Sequence, residues 1–483
     1  MNARTDLHYS VRIKVLFKYL GLLSLVLATL TCVPFFVALI TKNLQAVMRY
    51  GIVIVCALLM GSLSKLKVNQ NFQVNEGFVI VSLIFLISSL LMSLPLMGAG
   101  LSFIDAFFES VSGVTTTGLS MISSIDDLPD IFKFGRAWMQ WYGGLGIVVF
   151  SIAFIIPPGS VASILTDYDH KSLLGGTKNY ARYILIVFIS ITLLGVTGLI
   201  FLQIPWKEAI YLALATVSTG GFSPYQTSVS QLDILPLMFL ISICMMSATS
   251  LIFYYKIFNQ YKRVKFELYQ IVALLFIGLL WAFCLLALFA KDTELLSRHA
   301  ILNAFFMAFS AQTTTGFSTL DLQDIDSASK MILIVSMLIG GGIGSTAGGF
   351  KILRFLFVIS LLKWMVKRAG MSRHTAYDPL FAGQRFDEKE MREMLLLIFL
   401  YIGLVVVSWF SFLLYGYDPL NSLFEVTSAV GTVGLSTGLS SQTLPNSLKI
   451  ILSMDMLLGR IEIFPWLIVF NRRTWIGNRL ENG

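Results

Sequence analysis

Charge is scarce in this chain. Only 13% of its 483 residues are Asp, Glu, Lys or Arg, against 56% hydrophobic, and a soluble domain cannot hide that much apolar surface. Cysteine is scarce too. Cys32, Cys56, Cys244 and Cys284 all lie in apolar runs with no CxxC, which excludes a disulfide framework and leaves buried thiols. The four histidines, His8, His170, His299 and His374, form no HxxxH or HExxH spacing, so the chain carries no zinc-site signature. GxxxxGK[ST] and GxGxxG are both missing. The run "GGGIGSTAGG" has the glycines of a phosphate loop without its lysine, and it follows an apolar helix rather than a strand. With neither a nucleophile–base set nor a metal set, a membrane enzyme has nothing to work with, and any nucleotide control must come from another subunit.

What is present is a ladder of apolar segments. About ten spanning helices fit, two near 15–40 and 47–64, then pairs at 77–98 and 133–157, 181–203 and 233–258, 268–290 and 329–362, and 391–415 and 447–470. The first run is too long for a signal peptide and lacks an Ala-x-Ala exit, so it reads as a retained helix. Basic residues collect in alternate loops, among them Lys65 and Lys67, Lys262 to Lys265, and the segment 363–392, while the intervening loops carry Asp126, Asp127, Asp233 and Asp324. The formal charge of +8 is therefore a topology signal that puts the basic loops and both termini in the cytoplasm, and it does not call for nucleic acid.

Between the members of each pair lies a stretch too short and polar to span twice, the mark of a re-entrant segment. The four align without gaps on Gly118, Gly221, Gly316 and Gly434. Two residues earlier stand Thr116, Thr219, Thr314 and Thr432. Two later stand Ser120, Ser223, Ser318 and Ser436, and ten earlier Phe108, Tyr211, Phe306 and Phe424. Twenty-five later come Gly143, Gly341 and Gly459, with Met246 in the second segment. A GxxxG-type packing face explains one such segment but not four in register. The fold expected is an all-α polytopic membrane protein with four parallel helix–pore loop–helix repeats around one pore, preceded by two helices. Its boundaries are 1–72 for the leading pair, then 73–178, 179–265, 266–388 and 389–483 for the repeats.

A Thr-x-Gly loop suits a dehydrated ion. Backbone carbonyls replace its water, glycine lets the chain turn them inward, and the preceding short helix points the negative end of its dipole at the cation. No carboxylate lies in the narrow stretch, which favours a monovalent cation. The ion-binding residues expected are Thr116, Thr117 and Gly118; Thr219, Gly220 and Gly221; Thr314, Thr315 and Gly316; and Thr432, Val433 and Gly434. Residues 339–349, "IGGGIGSTAGG", contain six glycines, Gly340, Gly341, Gly342, Gly344, Gly348 and Gly349, with Ser345, Thr346 and Ala347 among them. Each glycine weakens a helix by roughly 0.5–1 kcal/mol relative to alanine, so this helix should break. Arg460 lies deep in an apolar stretch and needs the pore or a partner, Glu462 and Asp455 being the nearest acids.

"VTTTGLS" (114–120), "VSTGGFS" (217–223), "QTTTGFS" (312–318) and "VGTVGLS" (430–436) resemble the four filters of the TrkH/KtrB family of potassium translocators, TrkH branch, and "QWYGGLGI" (140–147) and "LLGRIEIF" (457–464) are similar to further motifs of that family. The resemblance implies potassium uptake across the bacterial cytoplasmic (inner) membrane with potassium as substrate, a gate formed by the glycine-rich loop, Arg460 facing the pore below the filter, a homodimer, and a cytosolic nucleotide-binding ring of the TrkA/KtrA kind docking on the basic inner loops. Gly220 and Val433 depart from Thr117 and Thr315, so the filter is not four-fold symmetric. The competing reading is a sodium- or proton-coupled symporter, which usually shows inverted repeats and intramembrane acids; here the repeats run parallel.

Overall fold

Apolar residues without polar breaks produce the longest helices. In the computed structural model, which describes residues 10–67, 73–154, 173–259, 265–289, 298–371, 380–381, 384–385 and 388–476, six helices are long and apolar enough to cross a membrane: Ile13–Ile40, Leu44–Lys65, Val74–Ala99, Arg182–Phe201, Glu267–Phe289 and Met391–Leu414. Their outward faces expose large apolar side chains such as Leu59, Phe276 and Phe399, surface that only lipid or another protein can cover. The chain is an all-α polytopic membrane protein. The sole strand pairing among the described residues is a two-residue one, Leu380–Phe381 with Gln384–Arg385, on the 363–392 segment. The expected cytoplasmic ends of the chain, the last turn of helix 133–157, residue 290 of helix 268–290 and part of the 363–392 segment lie outside the described residues.

The first two helices form a hairpin. Asn43 caps the second by accepting from the Ala46 amide at 3.0 Å, after Lys42 has taken a left-handed conformation (φ 54°). The hairpin seats on the first repeat, where Trp138 Nε1 donates to the Leu30 carbonyl at 2.9 Å.

Each repeat contributes an outer helix, a short helix and a second long segment. The short helices are Phe103–Val114, Trp206–Val217, Arg298–Gln312 and Pro419–Val430. Every one ends four residues before its aligned glycine, so the register seen in the sequence is also a register of helix termination. The second segment of repeat three breaks at the glycine run as expected, whereas the breaks in repeats two and four depart from the continuous spans expected there. Asp130–Phe154 is continuous. Its counterparts are split: Ile234–Ala248 from Leu251–Asn259, Ser327–Ile339 from Ile352–Ala369, and Asn446–Arg460 from Phe464–Phe470. The glycine run causes the second of these breaks. The third needs Glu462 and Ile463 both at φ 62°, a region that costs a β-branched residue roughly 1–3 kcal/mol.

Candidate ion path and gate

The four short helices end alike. Beyond each, the Thr of Thr-x-Gly sits in the left-handed region: φ is 56° at Thr116, 51° at Thr219, 54° at Thr314 and 49° at Thr432. Its amide bonds back to the helix (Thr116 to Gly113, Thr219 to Thr216, Thr314 to Ala311, Thr432 to Ala429; 3.0–3.1 Å), and the next amide bonds to the residue before that acceptor (Thr117 to Ser112, Gly220 to Ala215, Thr315 to Ser310, Val433 to Ser428; 2.8–3.0 Å). This is a Schellman cap, which ordinarily ends on glycine. Threonine holds the position in all four repeats despite the penalty for a β-branched residue there. The hydroxyl is what that choice retains. Those of Thr116 and Thr432 are buried without a protein partner.

The following glycines close the loops into a ring. A Cβ built on Gly118 would lie 2.4 Å from the carbonyl oxygen of Gly220; on Gly221, 2.5 Å from that of Thr315; on Gly316, 1.8 Å from that of Val433; and on Gly434, 2.2 Å from that of Thr117. Each loop therefore abuts the next in chain order, and the fourth returns to the first. All four glycines have positive φ, from 77° to 102°. The structure thus brings the twelve residues of the four triplets together.

The asymmetry of the triplets has a local cause. Thr117 and Thr315 hydroxyls bond Thr115 and Thr313 hydroxyls, both at 2.8 Å. In the fourth repeat the pair is Gly431 and Val433, so both hydroxyls are absent together. In the second, Gln140 occupies the space a side chain at position 220 would need: a Cβ there would be 2.4 Å from the Gln140 side-chain carbon. Gln140 instead donates Nε2 to the Gly220 carbonyl and accepts from the Phe222 amide at 3.1 Å.

Residues 340–351 leave the helical path and press against the first residues of the triplets. The Gly348 amide donates to Thr314 Oγ1 at 2.7 Å, and the Gly349 amide to the Gly431 carbonyl at 3.1 Å. Thr219 Oγ1 donates to Thr346 Oγ1 at 3.3 Å, and Thr346 Oγ1 lies 3.2 Å from the Val217 carbonyl. Gly348 has no room for a Cβ, which would meet the Gly431 oxygen at 2.0 Å and Thr432 Oγ1 at 2.3 Å. Gly340, Gly341, Gly342 and Ser345 are packed at the neck of this loop: Gly342 donates its amide to Ala248 (2.9 Å), Ser345 its hydroxyl to Gly342 (2.6 Å), and Gly344 gives its carbonyl to the Leu251 amide (3.1 Å).

Arg460 reaches this loop from the fourth repeat and donates Nη1 to the Thr346 carbonyl at 2.8 Å, while its Nε and Nη2 have no protein partner. Neither Asp455 nor Glu462 pairs with it. Glu462 lies past the helix break and pairs with Arg354, and Asp455 points to the outer helix, accepting from Ser408 Oγ at 2.7 Å. Lys351, at φ 76°, turns its ammonium back onto the Ala347 carbonyl.

A family model described as cation transport protein, TrkH, matches residues 43–296 and 293–474. The chain belongs to the TrkH family. It is 27% identical over 492 residues to the Trk system potassium uptake protein TrkH of Escherichia coli (strain K12), covering 95% of this chain and 98% of that protein. An uncharacterized cation transporter of Methanocaldococcus jannaschii is 28% identical over 411 residues, 83% of each chain. The crystal structure of the potassium transporter TrkH from Vibrio parahaemolyticus has the same fold, with a TM-score of 0.86 over 96% of this chain and 100% of that one, at 24% identity.

In this TrkH-family chain two buried carboxylates, which the pattern of acids in apolar spans does not single out, brace the residues that follow the triplets. Glu109 and Glu425 each lie nine residues before their aligned glycine, an offset the repeat alignment contains. Glu109 accepts from Ser120 Oγ (3.0 Å), the Met121 amide (2.8 Å) and Arg136 Nε (2.7 Å). Arg136 also lies 3.9 Å from the Phe222 ring centre, tying the first repeat to the second. Glu425 accepts from Ser436 Oγ (2.7 Å) and the Thr437 and Ser440 amides (3.1 and 3.0 Å), with no Lys or Arg ion-paired to it among the described residues. In repeats two and three the same position is Leu212 or Met307. Glu425→Ala should orphan the buried Thr437 amide, at about 1–3 kcal/mol, as well as the half-buried Ser440 amide, and lower the melting temperature. A thermal shift unchanged from wild type would show that the brace contributes nothing.

Proposed function

We propose that the chain carries potassium ions across the bacterial cytoplasmic membrane, with the ring of Thr-x-Gly backbone oxygens as selectivity filter and the 340–351 loop, held by Arg460, as gate. The observation that carries this reading is the closed cyclic contact of the four glycines with four backbone carbonyls. Such a ring can replace a hydration shell with neutral oxygens at the negative ends of four short helices. The relatives named for potassium uptake or potassium transport supply the choice of ion. The unpartnered hydroxyls of Thr116 and Thr432 add oxygens at the inner end of the path, where the loop lies across it.

The same reading makes each repeat, 73–178, 179–265, 266–388 and 389–483, one quarter of the pore, with 1–72 as a peripheral pair and both termini cytoplasmic. It also assigns the chain to a homodimer, with a cytosolic TrkA/KtrA-like nucleotide-binding ring on the basic inner loops, since the chain has no nucleotide motif of its own. Proteoliposome flux compared for potassium, rubidium, sodium and lithium tests it. Potassium and rubidium should pass at least about tenfold faster than lithium, a difference of about 1.4 kcal/mol in barrier. Equal passage of all four ions would overturn the selective filter.

A further inference from the structure

The side chain of Gln140 belongs to the first repeat but serves the second. It lies on Asp130–Phe154 and is fully buried. Its Nε2 donates to the Gly220 carbonyl, and its Oε1 accepts from the Phe222 amide at 3.1 Å. Both hydrogen bonds that it makes among the described residues therefore cross to the neighbouring loop.

Its helix is shaped for that approach. Residues 136, 140 and 144 are spaced four apart and share one face. Arg136 lies over the Phe222 ring, 3.9 Å from its centre. Gly144 lies against Ser218, where a Cβ on the glycine would be 2.8 Å from the serine Cβ. The stripe follows the second loop from residue 222 back to 218, with Gln140 in the middle.

The second loop lacks supports that the others carry. Six residues before the aligned glycine, Ser112 and Ser428 accept from the Gly118 and Gly434 amides, both at 3.0 Å, and Ser310 donates to the Phe317 carbonyl at 2.6 Å. The second repeat has Ala215 there, and Gly220 where repeats one and three have Thr117 and Thr315. Unlike Gly221, at φ 77°, Gly220 is not in the left-handed region. The backbone does not demand glycine at 220; the space taken by Gln140 does. At the position of Gln140, 22 residues past the aligned glycine, the other repeats have Ile243, Leu338 and Met456, none of which donates a hydrogen bond from its side chain.

The Gly220 oxygen is one of the four ring oxygens. Among the described residues the other three, on Thr117, Thr315 and Val433, accept no hydrogen bond. A carbonyl that already accepts an amide N–H offers a cation a weaker field and is less free to move toward it. Both effects penalise sodium more than potassium, because the smaller ion needs shorter contacts to replace its tighter water shell.

We propose that Gln140 is a positioning residue that sets the Gly220 oxygen for potassium over sodium, standing in for the threonine and serine that the second loop lacks. The proposal rests on the reading of the ring as a selectivity filter.

The potassium-to-sodium flux ratio of the full chain in proteoliposomes tests it. Gln140→Met keeps the bulk of the side chain and removes the donor, so the ratio should fall about fivefold, the scale of one hydrogen bond. A contact that only held the fold would lower both fluxes in proportion and leave the ratio alone. Gln140→Ala should lower the ratio as much, and adding Gly220→Thr should restore it to within about twofold of wild type. Alanine vacates the space, and the new hydroxyl meets Ser218, which stands where Thr115 and Thr313 pair with Thr117 and Thr315. Gly220→Thr alone would collide with Gln140 and lower the ratio. A wild-type ratio in a Gln140→Met variant that elutes and melts like the parent would overturn the role of Gln140. A double variant no better than Gln140→Ala would overturn its standing in for the missing threonine. Gly316→Ser separates these outcomes from failure of the filter: a lowered ratio there beside an unchanged one in Gln140→Met refutes Gln140 alone, whereas unchanged ratios in both refute the ring.

Discussion

Replacing Arg460 by alanine is expected to raise potassium flux by roughly 10- to 100-fold. The guanidinium makes one hydrogen bond, to the Thr346 carbonyl, and Thr346 sits against the first residue of the second triplet. A hydrogen bond from a charged donor contributes about 1.5–3 kcal/mol, and that is the range by which the loop's closed position would lose its advantage. The change also removes a buried positive charge with two unpartnered nitrogens, a direct electrostatic obstacle to a cation. Both effects have the same sign. Arg460→Lys should be intermediate, because an ammonium keeps the charge but offers no fixed fork of donors. The measurement is flux at fixed membrane potential in reconstituted vesicles. Wild-type flux in an alanine variant that elutes and melts like the parent would mean that Arg460 only fills space.

Gly316→Ser should damage discrimination rather than closure. This glycine has φ 78°, and a Cβ on it would sit 1.8 Å from the Val433 oxygen, the shortest of the four ring contacts. The Val433 carbonyl must move, and with it one of the oxygens that the proposed filter would use in place of the hydration shell. The potassium-to-sodium flux ratio is expected to fall at least about tenfold, equivalent to about 1.4 kcal/mol. Gly118→Ser, with 2.4 Å to the Gly220 oxygen, should do less to the same ratio. An unaltered ratio in Gly316→Ser would remove this ring from the account of selectivity.

The four-fold register was legible because it rests on residue identity. Thr at the left-handed cap, glycine at the ring contact and an aromatic six residues before the end of the short helix recur wherever the backbone must do the same thing. The glycine-rich interruption was legible for the same reason, since six glycines in eleven residues leave a helix too little to hold it. Other features depended on distance in space. That Gln140 replaces a side chain at position 220 follows from a helix of one repeat passing the loop of the next. The partner of Arg460 is a backbone carbonyl, which leaves no trace in the sequence. The brace at Glu109 and Glu425 is readable from a shared offset, but only in two repeats, because Leu212 and Met307 break the four-fold pattern at that position. The helix break after Arg460 was missed because Ile461 to Ile463 look like ordinary helix formers until two positive φ angles are seen there.

The cyclic contact has a consequence for how the molecule is made. The glycine of the last repeat, Gly434, abuts Thr117 of the first, more than three hundred residues earlier. A growing polypeptide that has delivered three repeats to the bilayer holds an open arc whose leading edge, the Thr117 carbonyl, has no neighbour. The circle closes only once residue 434 has been synthesised and inserted, so a chain terminated before the fourth repeat would be an unsealed arc.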